Sequence, residues 1–578
     1  MKNKVIKLLA CALALCLLCG CGDWEGAFEQ LNAKLNHDRR SDAPPFGEIE
    51  YVRPDIEQYR ADVEAAEGAL DKGDFDAVRE YVEKCYDHFR NFDTMYTVVN
   101  IRSSINMNDE FYAEEYAWCS NNWPATQQLM EQLYYACGAS DMADRIEEEI
   151  LWEGFAEEYA PGGESALNQT VVELMETESR LLNEYRSLTA SPSIELKDGT
   201  EVDYGSALAQ LQDQDYRDAM LSYYNKYNGK FADIYIQLVK TRNALARELG
   251  FEDYQQMQYA YFFERDYSPE DAMAYLSDIR EYMVPFYKEY METQPYSEIA
   301  YYDADEEKLI SAVKTAARSM GGKVEEAFEF MTSGGYYDIS LSSDKAPMSF
   351  QTYLTDYEAP YLFVDPVGDI EDIMGFSHEF GHFLDAYVNY NAFETVDVAE
   401  VFSQAMEYLM LFYYGDALSD EELEALVNMK IMDTLEMYVQ QASFAEFEST
   451  VYTTDPELLN ADFLNQLSLK LAEEYGYYDG ENEEYFSKSW CDIVHYFEMP
   501  FYIITYPISN DAAMQIFEQE LIKSGKGLET YLEMLPREYG SFMETVTEGG
   551  LQSPFASGRI QHVVEDLEIL LDFSQMAA

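Results

Sequence analysis

Residues 372–382 read Asp-Ile-Met-Gly-Phe-Ser-His-Glu-Phe-Gly-His and end in an HExxH motif. Apolar residues at helical spacing lead into the motif, which predicts a buried helix. Residues four apart lie on one helix face, so His378 and His382 can reach one metal ion from adjacent turns. Glu379 would lie beside that ion and take a proton from an attacking water. Gly381 weakens a helix relative to alanine, so its presence predicts a close approach by another element.

A zinc site of this kind needs a third protein ligand and an open fourth position. Residues 394–407 read Glu-Thr-Val-Asp-Val-Ala-Glu-Val-Phe-Ser-Gln-Ala-Met-Glu, and their spacing predicts a second helix. Glu400 and Glu407 share one face of that helix. On spacing alone these two glutamates compete for the metal, and Glu394 is a weaker candidate.

The charge balance restricts the class of partner. The chain carries 38 Lys and Arg against 110 Asp and Glu, a formal net charge of −72. Such a surface repels phosphate backbones and anionic lipid head groups, which argues against a nucleic-acid partner. The acidic residues are spread along the whole chain, which favours a solvated exterior over a cleft dedicated to cationic peptides.

The N-terminus has the pattern of an exported lipoprotein. A lysine-rich start precedes an apolar run over residues 8–18, which is typical of a secretory signal and too short to span a bilayer. The run ends in Leu-Cys-Gly-Cys at 18–21, which resembles a bacterial lipobox. We expect a signal peptide over residues 1–20 and a lipid on Cys21. The protein would then be anchored to the outer face of the bacterial cytoplasmic membrane.

The rest of the chain predicts a mainly α fold with a minor β element beside the motif helix. We divide it into a tether over residues 21–53, an N-terminal helical region over 54–190 and a region over 191–578 that carries the motif. Asp-Gly within residues 193–200 predicts a small hairpin with a tight two-residue turn. Alternating and apolar runs within 333–366 predict short strands that lead into the motif helix.

Four cysteines, Cys85, Cys119, Cys137 and Cys491, follow the proposed lipidation site and show no CxxC spacing. A cysteine zinc site is therefore not supported. Cys119 and Cys137 are a candidate disulfide pair.

The two motif segments together resemble a known family. His-Glu-Phe-Gly-His at 378–382, followed by Asp-Val-Ala-Glu-Val-Phe-Ser-Gln at 397–404, is similar to the thimet oligopeptidase and oligoendopeptidase F family of zinc metallopeptidases. The similarity runs over about residues 191–554. It implies one Zn²⁺ ion, with Glu400 as the third ligand and Glu407 behind the metal. It also implies a two-lobed, mostly helical body around a deep central cleft.

A further segment is implied by the same resemblance. Residues 495–506 read His-Tyr-Phe-Glu-Met-Pro-Phe-Tyr-Ile-Ile-Thr-Tyr and resemble the family segment that supplies a histidine and tyrosines across the cleft. His495, Tyr502 and Tyr506 are thereby implied as catalytic donors to the carbonyl oxygen on which negative charge develops. Tyr502 and Tyr506 would lie on adjacent turns if the segment is helical. Ile503 stands where relatives often carry another tyrosine, so the main donor stays open.

The resemblance implies a zinc-dependent endopeptidase that hydrolyses short peptides and uses Glu379 as general base. We expect the protein to be a monomer. A substrate strand could pair with a sheet edge near residues 359–363. One alternative is a dipeptidyl carboxypeptidase, which needs a cation for the substrate's terminal carboxylate, with Arg265 or Lys345 as candidates. Another alternative is a catalytically inactive peptide-binding lipoprotein, which is disfavoured because the zinc set and its general base are all present.

Overall fold

The computed structural model describes residues 40–160, 169–189, 192–196, 199–203, 213–293, 305–390, 395–478, 480–537 and 540–577. The expected signal peptide, Cys21 and Glu394 lie outside these residues. Within the described ranges, no helix has both the length and the apolar character needed to cross a bilayer.

Helices make up most of the described chain. In the N-terminal half, α-helices run over Ile56–Leu70, Phe75–Ile105, Glu110–Gly138, Ala143–Glu149, Phe155–Glu158, Gln169–Thr189, Asp213–Glu248, Tyr254–Met257, Pro269–Asp278 and Val284–Thr293. Those that follow run over Glu306–Met320, Gly322–Gly334, Glu371–Asn389, Val396–Met410, Asp420–Glu436, Ala442–Thr453, Ala461–Glu474, Glu483–Lys488, Val494–Glu498, Thr505–Ile522, Lys526–Met534, Phe542–Glu548 and Arg559–Ala577. Single π-helical turns cover Gln258–Phe262, Ile279–Met283 and Met437–Gln441. Short 3-10 helices cover Arg40–Asp42, Phe46–Glu48, Thr355–Tyr357, Gly415–Ala417 and Ser489–Asp492.

Some of the many acidic residues cap the N-termini of these helices. The side chains of five aspartates at N-cap positions accept backbone N–H groups of the first turn, namely Asp55, Asp74, Asp109, Asp253 and Asp305. Such caps satisfy amides that have no partner inside the helix, and their negative charge suits the positive end of the helix dipole.

Five strands in the described ranges form two small sheets. Strands β1 (Ser193–Glu195) and β2 (Glu201–Asp203) pair antiparallel, which confirms the predicted hairpin. Five residues connect them rather than a two-residue turn, because the register pairs Glu195 with Glu201.

The second sheet confirms the predicted β element before the motif helix. It contains β3 (Tyr337–Asp338), β4 (Phe350–Leu354) and β5 (Ala359–Phe363), in the order β3-β5-β4. The expectation of a substrate-binding edge at β5 is wrong. This strand is internal, pairs antiparallel with β4 over its whole length and buries all five residues. The sequence of β5 is therefore apolar throughout because both faces of the strand are buried, as is usual for an inner strand.

The side chains pack into two main cores. One lies within residues 59–159, where Val63, Phe89 and Leu133 are buried. The larger core takes in the sheet, the motif helix and most of the chain after residue 213. The helix Gln169–Thr189 contributes Leu181 and Tyr185 to this larger core. The expected boundary at residue 190 thus groups this helix with residues 59–159, whose side chains form the other core.

The described cysteines Cys85, Cys119, Cys137 and Cys491 are all buried and reduced. The candidate pairing of Cys119 with Cys137 is wrong, because both lie on the helix Glu110–Gly138. Eighteen residues of helix separate them by about 27 Å. A disulfide needs α-carbons within about 7 Å of each other.

Candidate active site

The motif helix, Glu371–Asn389, is separated from the end of β5 by seven residues. The carboxylate of Asp372 accepts backbone N–H groups from Val367, Gly368 and Asp369 at 2.7–3.1 Å, which folds the incoming loop back onto the first turn. The helix ends at Tyr390, which has a left-handed φ of 56°. Its buried face includes Ile373 and Phe376 of the motif lead-in, as their helical spacing predicts, together with Phe380 of the motif itself.

The structure brings His378, His382 and Glu400 together. Oε2 of Glu400 lies 3.6 Å from Nε2 of His378 and 3.9 Å from Nε2 of His382. One potential ligand atom from each residue lies within 4.8 Å of the other two. Ligands held at 2.0–2.1 Å around a tetrahedral zinc ion are about 3.4 Å apart. These two nitrogens and one oxygen therefore suit a single zinc ion after a small contraction.

Gly381 explains how the two helices that carry the candidate ligands come so close. The motif helix packs against the glutamate helix, which we define as Val396–Met410 and which carries Glu400. A β-carbon at Gly381 would lie 2.6 Å from Cα of Ser403 and 2.8 Å from the carbonyl oxygen of Phe402. The predicted close approach is therefore confirmed, and the partner is the helix that supplies the third candidate ligand.

Glu407 lies on the other side of His378 from Glu400. Its Oε1 is 2.7 Å from Nδ1 of His378, and its Oε2 accepts a hydrogen bond of 2.6 Å from the buried ammonium of Lys430. Burial alone would raise the pKa of Glu407, but Lys430 and His378 outweigh it and hold the pKa below its usual value. An ionised Glu407 accepts a hydrogen bond from Nδ1–H of His378, and Nε2 of His378 then faces Glu400. This is the usual arrangement behind a metal-bound histidine.

The two histidines differ in their affinity for protons. Burial lowers the pKa of His382 to about 4, so its imidazole is neutral and has a lone pair to share. Burial also acts to lower the pKa of His378, but its hydrogen bond to Glu407 and the nearby Glu400 raise that pKa to about 10. A cation at this site would compete with a proton for His378.

Glu379 is buried on the motif helix, next to His378 in the sequence. Its Oε2 makes no hydrogen bond to any described residue. Burial raises the pKa of this carboxyl to about 7, with Glu400 and Glu407 adding to the effect. A buried carboxylate oxygen without a partner is costly in a folded protein unless the site has a use for it. Here it can accept a proton from a bound molecule.

The tyrosine segment, defined as residues 495–506, faces the candidate ligands. The Tyr502 hydroxyl donates to Oε1 of Glu400 at 2.9 Å, and the ring centroid of Tyr506 lies 5.3 Å from that of Tyr502. The His495 ring centroid is 5.6 Å from Tyr502 and 6.3 Å from Tyr506. Burial lowers the pKa of His495 and raises that of Tyr506, so the imidazole is neutral and the phenol keeps its proton.

Adjacent helical turns for the two tyrosines required a helical segment, and this condition is not met. Tyr502 lies in a turn before the helix Thr505–Ile522, and only Tyr506 lies on the helix. Phe501, just before Tyr502, has a positive φ of 69°, which ends any helical run there. The rings still meet because this turn folds Tyr502 back over the first turn of the helix.

A buried ion pair joins the two sides of the site. Arg265 donates to both carboxylate oxygens of Asp397, at 3.0 and 3.3 Å, and to the Thr505 hydroxyl at 2.9 Å. Asp397 lies one turn before Glu400, and Thr505 immediately precedes Tyr506. The pair therefore fixes the glutamate helix relative to the tyrosine segment. Sequence reasoning missed this role because residue 265 is 132 positions from its partner.

Neither cation named for a carboxypeptidase is available to a substrate. The side chains of Arg265 and Asp397 are fully buried against each other. Lys345 is also fully buried, with its ammonium 2.6 Å from Oδ1 of Asp338 and 2.6 Å from the carbonyl oxygen of Val364. Both cations are occupied by internal partners.

A curated relative and solved structures resemble the chain. Group B oligopeptidase PepB from Streptococcus agalactiae serotype III (strain NEM316) is 22% identical over 213 residues, which is 35% of this chain and 34% of that protein. The chain thus matches about a third of the length of this relative. A structure of PZ peptidase A with an inhibitor superposes with a TM-score of 0.74 at 24% identity, over 92% of this chain and 100% of the other. Oligoendopeptidase-F from Enterococcus faecium gives a TM-score of 0.57 at 17% identity, over 90% and 97%. At these identities the structures show a shared fold, which confirms the mainly α fold class.

Sequence profiles of one peptidase family match both halves of the chain. The profile of the peptidase M3 N-terminal domain matches residues 46–157, and that of peptidase family M3 matches residues 317–558. These segments contain 112 and 242 residues, together 354 of 578. The second segment contains the HExxH motif and the glutamate helix. The chain therefore belongs to peptidase family M3.

Proposed function

We propose that this M3 peptidase is a zinc-dependent oligoendopeptidase, in which His378, His382 and Glu400 hold one Zn²⁺ ion. The observation that carries the proposal is the convergence of these three side chains beside Glu379. Zinc bound there would polarise the scissile carbonyl and make a water acidic enough to lose its proton near neutral pH.

Side chains of the protein would carry out the proton transfers and stabilise the charge that develops on the carbonyl oxygen. The carboxylate of Glu379 takes one proton from the attacking water as the water oxygen bonds to the carbonyl carbon. Glu379 then returns this proton to the amide nitrogen, the C–N bond breaks, and a carboxylic acid and an amine leave. The Tyr506 hydroxyl and the neutral His495 can donate hydrogen bonds to the carbonyl oxygen as its charge develops.

The contact between Tyr502 and Glu400 favours a different role for Tyr502. Its hydroxyl already donates to Glu400, so it can hold this ligand carboxylate in orientation. We therefore assign Tyr506 as the main oxyanion donor and Tyr502 as a residue that positions Glu400.

The internal pairing of Arg265 and Lys345 supports endopeptidase action over dipeptidyl carboxypeptidase action. An enzyme that removes C-terminal dipeptides needs a cation for the terminal carboxylate of its substrate. The two cations that the sequence suggested are both buried in pairs. Mass spectrometry of the products separates the two activities: internal cuts support our proposal, and exclusive release of C-terminal dipeptides contradicts it.

The test is cleavage of a quenched fluorescent peptide library by the wild type and by Glu379→Gln. Chelator should abolish wild-type cleavage and added zinc should restore it. Glu379→Gln should bind one zinc ion per chain and lose about 10²- to 10⁴-fold in kcat, the usual contribution of a general base. Glu371→Gln is the matched control, because Glu371 lies on the same helix and is exposed. A zinc-loaded wild type that cuts no peptide, or an active Glu379→Gln, would refute the proposal.

We also propose the exported, lipid-anchored location that the lipobox indicates. Mass spectrometry of the mature N-terminus in native membranes tests it, and an unmodified Cys21 would reject it.

A further inference from the structure

Glu448 is a buried carboxyl that no sequence motif marks. It lies on the helix Ala442–Thr453 and is 1% exposed. Its Oε2 accepts the backbone N–H of Phe501 at 2.6 Å, whereas its Oε1 makes no hydrogen bond to any described residue. Burying a carboxyl for a single amide partner is unfavourable for folding alone. The reason for burying this carboxyl should therefore lie with its hydrogen-bond partner, Phe501.

Phe501 is the strained residue of the tyrosine segment. Its φ of 69° lies in the left-handed region, which a bulky side chain rarely adopts. Its ring is buried, with the ring centroid of Tyr452 at 4.9 Å and that of Tyr259 at 6.2 Å. Such strain persists only when the surroundings hold the residue, and it concentrates at functional sites. The residue that follows is Tyr502, whose hydroxyl reaches Glu400.

The rest of the segment is held at its two ends. Arg242 donates to the carbonyl oxygens of Tyr496 at 3.3 Å and Phe497 at 2.5 Å. At the other end, Thr505 hydrogen-bonds to Asp397 at 2.6 Å. Seven residues separate these two attachments, and they contain the turn that aims Tyr502. Glu448 binds the backbone in the middle of that turn.

We propose that Glu448 is a positioning residue for the peptidase reaction. By accepting the Phe501 N–H it stabilises the positive-φ turn, and the turn directs Tyr502 to Glu400 and places Tyr506 beside it. The inference rests on the proposed function, since it gives a role in catalysis to a residue that touches neither metal nor substrate. It predicts that loss of the acceptor lowers kcat while the zinc ligands remain intact.

The test compares four variants of the full chain. Glu448→Met fills the space without a strong acceptor, Glu448→Asp withdraws the acceptor by one methylene, and Glu448→Gln keeps an acceptor oxygen but cannot ionise. Glu446→Met is the matched control, because Glu446 lies on the same helix and is buried, and it pairs with Arg280 and Tyr475 instead of the segment. Each variant is measured for kcat, KM, bound zinc and hydrogen exchange of the peptide that contains Phe501.

Glu448→Met and Glu448→Asp should lose about 10- to 100-fold in kcat, as expected for misplacement of a catalytic group by about 1 Å. They should keep KM and zinc stoichiometry, and exchange at Phe501 should accelerate. Glu448→Gln should keep most of the wild-type kcat, and Glu446→Met should leave exchange at Phe501 unchanged. If Glu448→Met does not fold, Glu448→Asp carries the same comparison.

Three results would overturn the inference: wild-type kcat and exchange in Glu448→Asp, equal losses in Glu448→Gln and Glu448→Met, or the same loss in Glu446→Met. A wild type that cleaves no peptide would refute the proposed function instead. Hydrogen exchange would then still decide whether Glu448 holds the turn, and unchanged exchange would refute the inference independently.

Discussion

Replacement of Gly381 by alanine tests how the ligand helices are brought together. An added β-carbon would lie 2.6 Å from Cα of Ser403, 2.8 Å from the carbonyl oxygen of Phe402 and 3.1 Å from Cβ of Met406. The first two are backbone atoms of the glutamate helix, so they cannot move aside as a side chain would. Carbon atoms in good contact are about 3.5–4.0 Å apart. The motif and glutamate helices must therefore separate by about 1 Å.

Two opposite effects set the change in the free energy of unfolding. Alanine in a helix interior is favoured over glycine by about 1 kcal/mol. Overpacking of a close interface costs about 1–3 kcal/mol. We expect a net destabilisation of up to about 2 kcal/mol.

The effect on zinc should be larger than the effect on folding. Metal–ligand distances tolerate deviations of only about 0.2 Å, and Glu400 lies on the helix that moves away from His378 and His382. We expect the zinc dissociation constant to rise at least about tenfold, which corresponds to about 1.4 kcal/mol.

Gly375→Ala is the matched control. Gly375 lies on the same helix, and a β-carbon there meets nothing within 4 Å. This variant should be as stable as the wild type or gain up to about 1 kcal/mol. Urea unfolding measures stability, and competition with a chelator measures zinc affinity. If Gly381→Ala matches Gly375→Ala in both, the close packing at Gly381 does not set the ligand spacing and the reasoning is refuted.

Three further predictions follow from the site. Lys430→Met leaves Glu407 buried without its ammonium partner, so zinc affinity should fall about 10- to 100-fold through His378; unchanged affinity in chelator competition would contradict this. Tyr506→Phe removes the assigned oxyanion donor, so kcat should fall about 10²- to 10³-fold with zinc still bound; wild-type kcat would exclude that role. Burial raises the pKa of Glu448 to about 8 from 4.5, so the folded state prefers its protonated form. The stability that this preference contributes is fully present below about pH 4.5 and is lost as pH rises through 8. The free energy of unfolding of Glu448→Gln should therefore rise relative to that of the wild type between pH 5 and 9. Urea unfolding across that range measures the difference, and a pH-independent difference would contradict it.

The sequence predicts the parts of this site that depend on short spacing. His378 and His382 face the same way because they are four residues apart on a helix, whatever surrounds them. Gly381 signals the close approach of a neighbour because its helix penalty needs compensation. The mainly α character also follows from local patterns, since periodicity and capping residues act within a few positions.

The choice between Glu400 and Glu407 needed more than spacing. The two residues are seven apart and share a helix face, so periodicity cannot separate them. The family resemblance favoured Glu400, and the packing of the two helices brings it to both histidines. Packing also places Glu407 on the far nitrogen of His378, where Lys430 supports it.

Tertiary structure alone decided the contacts that bridge distant parts of the chain. Arg265 and Asp397, or Glu448 and Phe501, meet only after the helices pack, and no local pattern encodes such a pair. The internal place of β5 and the turn before Tyr502 have the same origin, because strand order and a strained φ are settled by long-range partners. Local spacing thus predicts the motif helix and its two histidines, whereas the alignment of the proposed catalytic groups around it depends on buried polar contacts between residues far apart in the sequence.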